Sequence, residues 1–444
     1  MKLLYTLICT LYILNIFAQT PTDSLKVERF SIHAQTTVIH QYKPGFSAQY
    51  SGENSLETHE EHATSLTSTL YMGVKLWKGG SFFVNPEIAG GSGFSKTLGI
   101  AAAPNGETFR IGSPAPNIYI ARAFYHQIFG LGKDLQSSKD EFFHNHSDFN
   151  QLANFEPKRH IALTIGKVSI ADYFDDNKYS HDPRTQFMSW GLMSNGAWDY
   201  PANTRGYTPS MVLEYISPTH ELRYGFSLIP LVANGPVMNL EFSKANSNTI
   251  EYVHHHTLKN RKGAVRILGF YTIGQMGNYQ QSLSLSSIYP SIESTRLYGR
   301  NKFGIGINIE QEITSNLGGF VRASWNDGKN ETWAFTEIDH SLSAGLQLNG
   351  TTWKRENDYV GIAYVISGIS KDHRNYLAAG GKGFMLGDGK LNYANEHLAE
   401  LYYAARLREN IFLTGDYQMI VNPGYNSDRK GPIHVFSVRV HLRM

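Results

Sequence analysis

Phe436-Ser437-Val438-Arg439-Val440-His441-Leu442-Arg443-Met444 ends the chain, and every second residue of it is apolar. Successive side chains of an extended strand point to opposite faces. Phe436, Val438, Val440, Leu442 and Met444 therefore share one face, and Ser437, Arg439, His441 and Arg443 the other. The same period-two pattern recurs upstream. Phe303, Ile305, Ile307 and Ile309 alternate with Gly304, Gly306, Asn308 and Glu310. Leu342, Ala344, Leu346 and Leu348 alternate with Ser343, Gly345, Gln347 and Asn349. Leu66, Leu70, Met72, Val74 and Leu76 stand opposite Thr67, Thr69, Tyr71 and Lys75. A soluble sandwich would turn the apolar face inward. Here the polar faces mix Glu, Arg and Gln with small Gly and Ser, as a wet lumen would, so the apolar face is assigned to lipid.

Working outward, sixteen strands are predicted, at 29–42, 65–77, 81–89, 117–130, 160–170, 208–217, 221–231, 248–257, 264–274, 302–313, 316–325, 341–350, 359–369, 397–407, 411–420 and 432–444. An even number brings both ends to one side. Most alternate connections are tight (78–80, 218–220, 258–263, 314–315, 408–410), whereas those between them are mostly long (43–64, 90–116, 171–207, 275–301, 370–396). Short periplasmic turns and longer outer loops are the signature of a transmembrane antiparallel up-and-down β-barrel. The stretch 131–159 breaks the rule: a short turn belongs there, yet it is long and polar, with Lys133, Asp134, Lys139, Asp140 and Glu141. It reads either as a periplasmic helix or as a missed strand pair that raises the count to eighteen. No linker or low-complexity tract divides the chain, so 29–444 is read as a single barrel domain.

The N-terminus sets the compartment. Lys2 precedes an apolar run from Leu3 to Phe17, and the small Ala18 follows, the order of a cleaved secretory signal peptide over 1–18. The run is shorter than the ~20 residues a spanning helix needs. Cys9, the only cysteine, lies inside it, so the mature chain has no disulfide and no thiolate-held metal. Formal net charge is +2, which offers no strong field for nucleic acid. With 41 Gly, 26 Tyr and 24 Phe, the composition suits strands with one apolar face.

Several motifs weigh little. Gly90-Gly91-Ser92-Gly93-Phe94-Ser95-Lys96-Thr97 approaches a phosphate-binding loop, but Ser95 stands where a glycine must precede the lysine and no α/β pattern follows. His254, His255 and His256 are adjacent on a strand, so at most His254 and His256 share a face, and solvated or interfacial histidines are the better reading than a metal site. No nucleophile-elbow pattern nominates a catalytic serine. Neither a catalytic residue, a metal nor a cofactor is expected.

The longest loop is more informative. Residues 171–207 contain Asp172, Trp198, Asp199, Tyr200, Arg205 and Tyr207, among other aromatic and charged side chains. A wide barrel is made selective by folding a loop into its lumen. Flat aromatic faces stack on the apolar side of a sugar ring while carboxylates and guanidiniums bond its hydroxyls. These six residues are the leading constriction candidates, joined by Glu107 and Arg110 in 90–116 and by the lumen-facing Glu310 and Arg322. Both charge signs on the lumen favour neutral polar solutes over ions.

The sequence also resembles the carbohydrate-selective porins of the OprB type. The resemblance is carried by Tyr50-Ser51-Gly52-Glu53-Asn54-Ser55-Leu56, by Leu76-Trp77-Lys78-Gly79-Gly80 leading to Asn85-Pro86-Glu87, by Asn105-Gly106-Glu107-Thr108-Phe109-Arg110-Ile111-Gly112, and by Tyr119-Ile120-Ala121-Arg122. Gly166-Lys167 ahead of Asp172-Tyr173-Phe174-Asp175, and Gly196-Ala197-Trp198-Asp199-Tyr200-Pro201-Ala202, continue it. Glu310-Gln311, Trp325-Asn326-Asp327-Gly328, Leu386-Gly387-Asp388-Gly389, Tyr417-Gln418 and Asn422-Pro423-Gly424-Tyr425-Asn426-Ser427-Asp428-Arg429 complete it. The pieces span nearly all of the mature chain, although 131–159 contributes none. Met444 stands where outer-membrane proteins usually end in an aromatic. The resemblance implies a sixteen-stranded outer-membrane barrel that passes small sugars by facilitated diffusion, surrounded by outer-membrane lipid, with a homo-oligomer left open. Its rivals are a general or weakly ion-selective porin, a barrel enzyme, and a secreted glycan-binding β-protein.

Overall fold

A computed structural model describes residues 28–108, 115–137, 149–429 and 431–444. The expected signal peptide, 1–18, lies outside them. Sixteen strands close into one antiparallel barrel: β1 (Phe30–Lys43), β2 (Glu61–Trp77), β3 (Gly80–Gly91), β4 (Asn117–Gly130), β7 (His160–Val168), β8 (Thr208–Ile216), β9 (His220–Leu228), β10 (Asn246–Leu258), β11 (Arg261–Met276), β12 (Leu297–Glu312), β13 (Leu317–Asn326), β14 (His340–Asn349), β15 (Tyr359–Gly368), β16 (Glu396–Arg408), β17 (Ile411–Val421) and β18 (Ile433–Arg443). Each pairs with its sequence neighbour in the wall, and β18 returns to β1 with Tyr42 opposite Phe436 and Gln35 opposite Arg443. Closure leaves no strand edge unpaired, which lipid would otherwise penalise.

Two short strands, β5 (Leu135–Ser137) and β6 (Phe155–Pro157), pair only with each other as a ribbon outside the wall. The alternative of eighteen staves is thereby corrected. The described residues 131–137 and 155–159 form a small ribbon prolonging the β4–β7 hairpin, not a helix. A three-residue strand is too short to cross a bilayer.

The face assignment from alternation holds along the wall. Val438 is 51% exposed on the outer surface, whereas its neighbour Arg439 is 0% exposed on the lumen side. Ile305, Ile307 and Leu342 likewise face outward. The connections at 78–79, 259–260 and 409–410 are tight, and those at the opposite, extracellular end are long.

The loops supply most of the main apolar core, and inward wall residues such as Phe83, Phe124, Val212 and Phe270 complete it. A lumen wall rich in Glu, Arg, Asn and Ser cannot supply a core alone, so the long loops turn inward and pack on each other and on the wall. Phe174, Trp190, Trp198 and Tyr200 from 169–207 meet Phe335 and Ile338 from 327–339, Tyr376, Met385 and Leu386 from 369–395, and Tyr425. Trp190 stacks on Phe335 at 5.3 Å between ring centroids.

Buried wall charges fasten this assembly by capping loop backbone. Glu400 accepts from the N–H groups of Met188 (2.5 Å) and Ser189 (3.0 Å). Glu396 accepts from Ala101 (3.0 Å), Ala102 (2.7 Å) and Gly424 (2.7 Å). Arg439 donates to the carbonyls of Pro183 (2.8 Å) and Gln186 (2.7 Å). Loop backbone away from water must find partners, and ionised ones make the stronger bonds.

The lumen-side glycines make room for these loops. A Cβ on Gly318 would collide with the ring of Tyr179, and one on Gly306 would come within 2.7 Å of the Asn195 amide.

Candidate functional site

The inward loops leave a cavity of ≈ 1040 Å³. Its lining extends from Lys262, Arg406 and Arg443 at the periplasmic end to Arg205 and Tyr207 beside the long loops. Among the described residues, eight acidic side chains border it (Glu28, Glu87, Glu107, Asp172, Asp176, Asp182, Glu310, Glu312) and eight basic ones (Arg122, Lys178, Arg184, Arg205, Lys262, Arg266, Arg406, Arg443). Charge cancels across the passage while the local fields stay strong.

Glu87, inward on β3, is the hub. Thr69 on the adjacent strand donates to its Oε2 at 2.5 Å, Tyr207 to its Oε1 at 3.0 Å, and Tyr119 also donates to it. Arg184 descends from the loop 169–207 and bridges two carboxylates, with Nε 2.8 Å from Glu107 Oε2 and a terminal nitrogen 3.3 Å from Glu87 Oε2. It also reaches the Tyr71 hydroxyl at 3.4 Å. Next along the wall, Arg122 on β4 grips Asp172 through two bonds of 2.6 and 2.7 Å. Arg205 lies 3.9 Å over the Tyr119 ring, a cation–π contact at the outer end of the passage. On the opposite wall Arg266 pairs with Glu310 at 3.2 Å.

The loop charges titrate as this network dictates. Burial raises the Glu107 carboxyl above its ordinary range, and Arg184 only partly restrains the rise. Burial also pushes Asp182 upward, but Arg184 and the Arg184 backbone N–H outweigh it and hold that carboxyl below its usual value. Burial opposes the charge on Arg184, yet Glu107 and Glu87 keep the guanidinium firmly protonated.

Of the residues expected from sequence, Asp172, Tyr200, Arg205, Tyr207, Glu107 and Glu310 border the cavity. Arg110 lies outside the described residues. Trp198, Asp199 and Arg322 stand behind the lining. Trp198 is buried among the loop aromatics, with Tyr200 at 5.4 Å and Phe174 at 6.3 Å. Asp199 accepts the backbone N–H groups of Trp333 (2.8 Å), Ala334 (2.8 Å) and Phe335 (2.9 Å), which ties 171–207 to 327–339. Arg322 donates to Asp175 Oδ1 (3.2 Å) and to the carbonyls of Leu192 (2.9 Å) and Ser180 (2.6 Å). Arg184 belongs to the charged content of the loop 171–207 expected to fold inward, though not to the leading candidates, whereas Glu87, Arg122, Tyr71 and Tyr119 were not singled out. The available signal was an ionisable residue on the inward phase of a strand: Glu87 and Arg122 occupy such positions, and both sit in quoted family segments.

The histidines divide as strand geometry requires. His255 faces the lumen, 2.7 Å from Glu221, while the rings of His220, His254 and His256 stack at 4.9 and 6.1 Å. No group of three or more metal-ligating side chains occurs among the described residues. Residues 90–97 leave β3 into a three-residue turn (Phe94–Lys96), without the helix a phosphate loop requires.

The model of the carbohydrate-selective porin, OprB family, matches residues 53–444. No curated protein matches the chain by sequence. Among solved structures, the fold is similar to the high-pH structure of Pseudomonas putida OprB, with a TM-score of 0.68, 14% identity and 94% of each chain covered. It is also similar to the outer-membrane channel DcaP of Acinetobacter baumannii, with a TM-score of 0.50, 9% identity, and 94% of this chain and 97% of that one covered. With the closed sixteen-stranded wall and its charge-balanced passage, the match over most of the sequence places the chain in the carbohydrate-selective porin, OprB family, as an outer-membrane sugar porin.

Proposed function

We propose that the protein passes small neutral sugars by passive diffusion, with the ring around Glu87, Glu107, Arg122, Asp172, Arg184, Arg205 and Tyr207 as its selective constriction. The observation that carries this reading is the pairing of opposite charges along the lining of a lumen that also presents aromatic faces. An ion gains little from a lining whose charges cancel, whereas a polyol finds donors and acceptors on every side. Pairing also keeps each site weak for any one solute, so what enters can leave. Trp198, Asp199 and Arg322 serve the same end indirectly, by holding the loop that carries Arg184 in place.

Swelling of liposomes carrying the protein tests this. Small neutral sugars should enter faster than amino acids or sugar phosphates of similar size, and ion current through single channels should fall when sugar is added. Equal rates for all these solutes would make a general porin the better description. No swelling with any of them would refute a passage altogether.

A further inference from the structure

The wall between β4 and β7 sends a second piece of chain into the lumen, this one from the periplasmic side. Residues 149–153 lie inside the barrel, joined to β3 through Asn85. The Asn85 amide donates to the Asn150 side-chain oxygen at 2.9 Å, and Leu152 joins the buried apolar cluster that contains Phe83, two residues lower on the same strand. Ala153 is stitched to the N-terminal end of the barrel by two bonds to Glu28, one to its carboxylate (2.8 Å) and one from its backbone N–H (2.9 Å). This anchoring sets Phe149 flat on Tyr71, with 5.0 Å between centroids and 25° between planes, and brings His33 to 5.8 Å.

Phe149 and Tyr71 border the same cavity as the charged ring. Tyr71 lies two residues from Thr69 on β2, and Thr69 is paired with Glu87, so the aromatic pair sits one repeat of the strand to the periplasmic side of that ring. The Tyr71 hydroxyl also receives bonds from Gln35 and Arg184, which fixes the ring beneath Phe149. Flat, apolar and preorganised, the Phe149 ring offers what the paired charges lack, a face for the C–H side of a pyranose.

We infer that Phe149, positioned by Tyr71 and by the Asn85–Asn150 and Glu28–Ala153 bonds, is a specificity-determining subsite on the periplasmic side of the constriction, where sugar rings stack as they leave the charged ring. The inference rests on the sugar-passage reading above and adds a ring-shape preference to it.

The test uses the full-length protein in planar bilayers and liposomes, with glucose as the ring probe and sorbitol as an open-chain polyol that has no ring face. Phe149→Leu keeps apolar bulk without an aromatic face, and Phe149→Tyr restores the face. The glucose concentration that halves the ion current should rise about fivefold in Phe149→Leu and return to the wild-type value in Phe149→Tyr, as expected for one aromatic face. Sorbitol entry should differ little between wild type and both variants. A plug acting only by bulk would move glucose and sorbitol together, and that result overturns the inference. So does an unchanged half-blocking concentration in Phe149→Leu. If wild-type channels show no glucose block and no preference among solutes, the sugar-passage reading falls and takes this one with it. Glucose block in wild type that is untouched by the variants removes the Phe149 subsite alone.

Discussion

Replacing Arg184 by alanine is the sharpest probe of the charged ring. The guanidinium is the only bridge between Glu87 and Glu107 among the described contacts, so its removal leaves two buried carboxylates facing the cavity. At about 5 Å from the axis of a water-filled pore, one uncompensated unit charge contributes about 0.8 kcal/mol, or ~0.5 kcal/mol after screening at ~0.1 M salt. That enriches cations and depletes anions by about twofold each, so the cation-to-anion permeability ratio should rise roughly fivefold. The measurement is the reversal potential across a planar bilayer with unequal KCl on the two sides, taken at mildly alkaline pH. The pH matters because burial already favours the proton on Glu107, and without Arg184 that carboxyl protonates more readily still. Arg184→Lys keeps the charge and should stay close to wild type. A reversal potential in Arg184→Ala indistinguishable from wild type, in channels that conduct, would show that this ring does not govern what ions experience.

Other perturbations follow from the same geometry. Val440→Arg places a charge on the lipid face beside Val38 and should cost about 2–4 kcal/mol if near the midplane, seen as lost heat-resistant barrel on gels, while Val440→Leu assembles normally. Asp199→Ala removes the acceptor of three backbone bonds and should weaken loop docking by about 3 kcal/mol, read as noisier current with poorer size discrimination; quiet, unaltered channels would contradict this. Lowering pH from about 7 to about 5 should shift selectivity toward anions, because Glu107, raised by burial, gains its proton earlier than an exposed glutamate and leaves Arg184 less compensated. Glu107→Gln should show that shift already near neutrality and respond less to acid; an unchanged acid response would place the titrating group elsewhere.

Alternation made the wall legible. Each of the sixteen expected segments overlaps a barrel strand, because lipid on one side and polar contacts on the other impose a two-residue period that few other environments produce. The bounds were less legible. β2 begins at Glu61 rather than 65 and β12 at Leu297 rather than 302, since hydrogen-bonded ladders continue past the lipid zone where side-chain alternation lapses. The inward course of 171–207 was readable from its aromatic and charged content, but the roles within it were not. Periodicity says that Arg322 faces inward; it does not say whether water or the carbonyl of Leu192 meets it there. Trp198 and Asp199 went to core and tether because the loops need a core of their own, a demand that appears only once the wall is seen to be polar inside. The entry of 149–153 from the opposite end had no signal beyond an over-long turn.

Charges fixed in opposed pairs do more than cancel. Arg184 with Glu107, and Arg122 with Asp172, set opposite charges side by side on the lining, so water beside each pair meets a strong local field. A sugar can take the place of such water, hydroxyl for hydroxyl. A greasy molecule of the same girth must strip it and return nothing. The passage should therefore sieve for lipophilicity as well as size: cells carrying this porin should admit sugars without becoming more permeable to amphiphilic antibiotics or detergents.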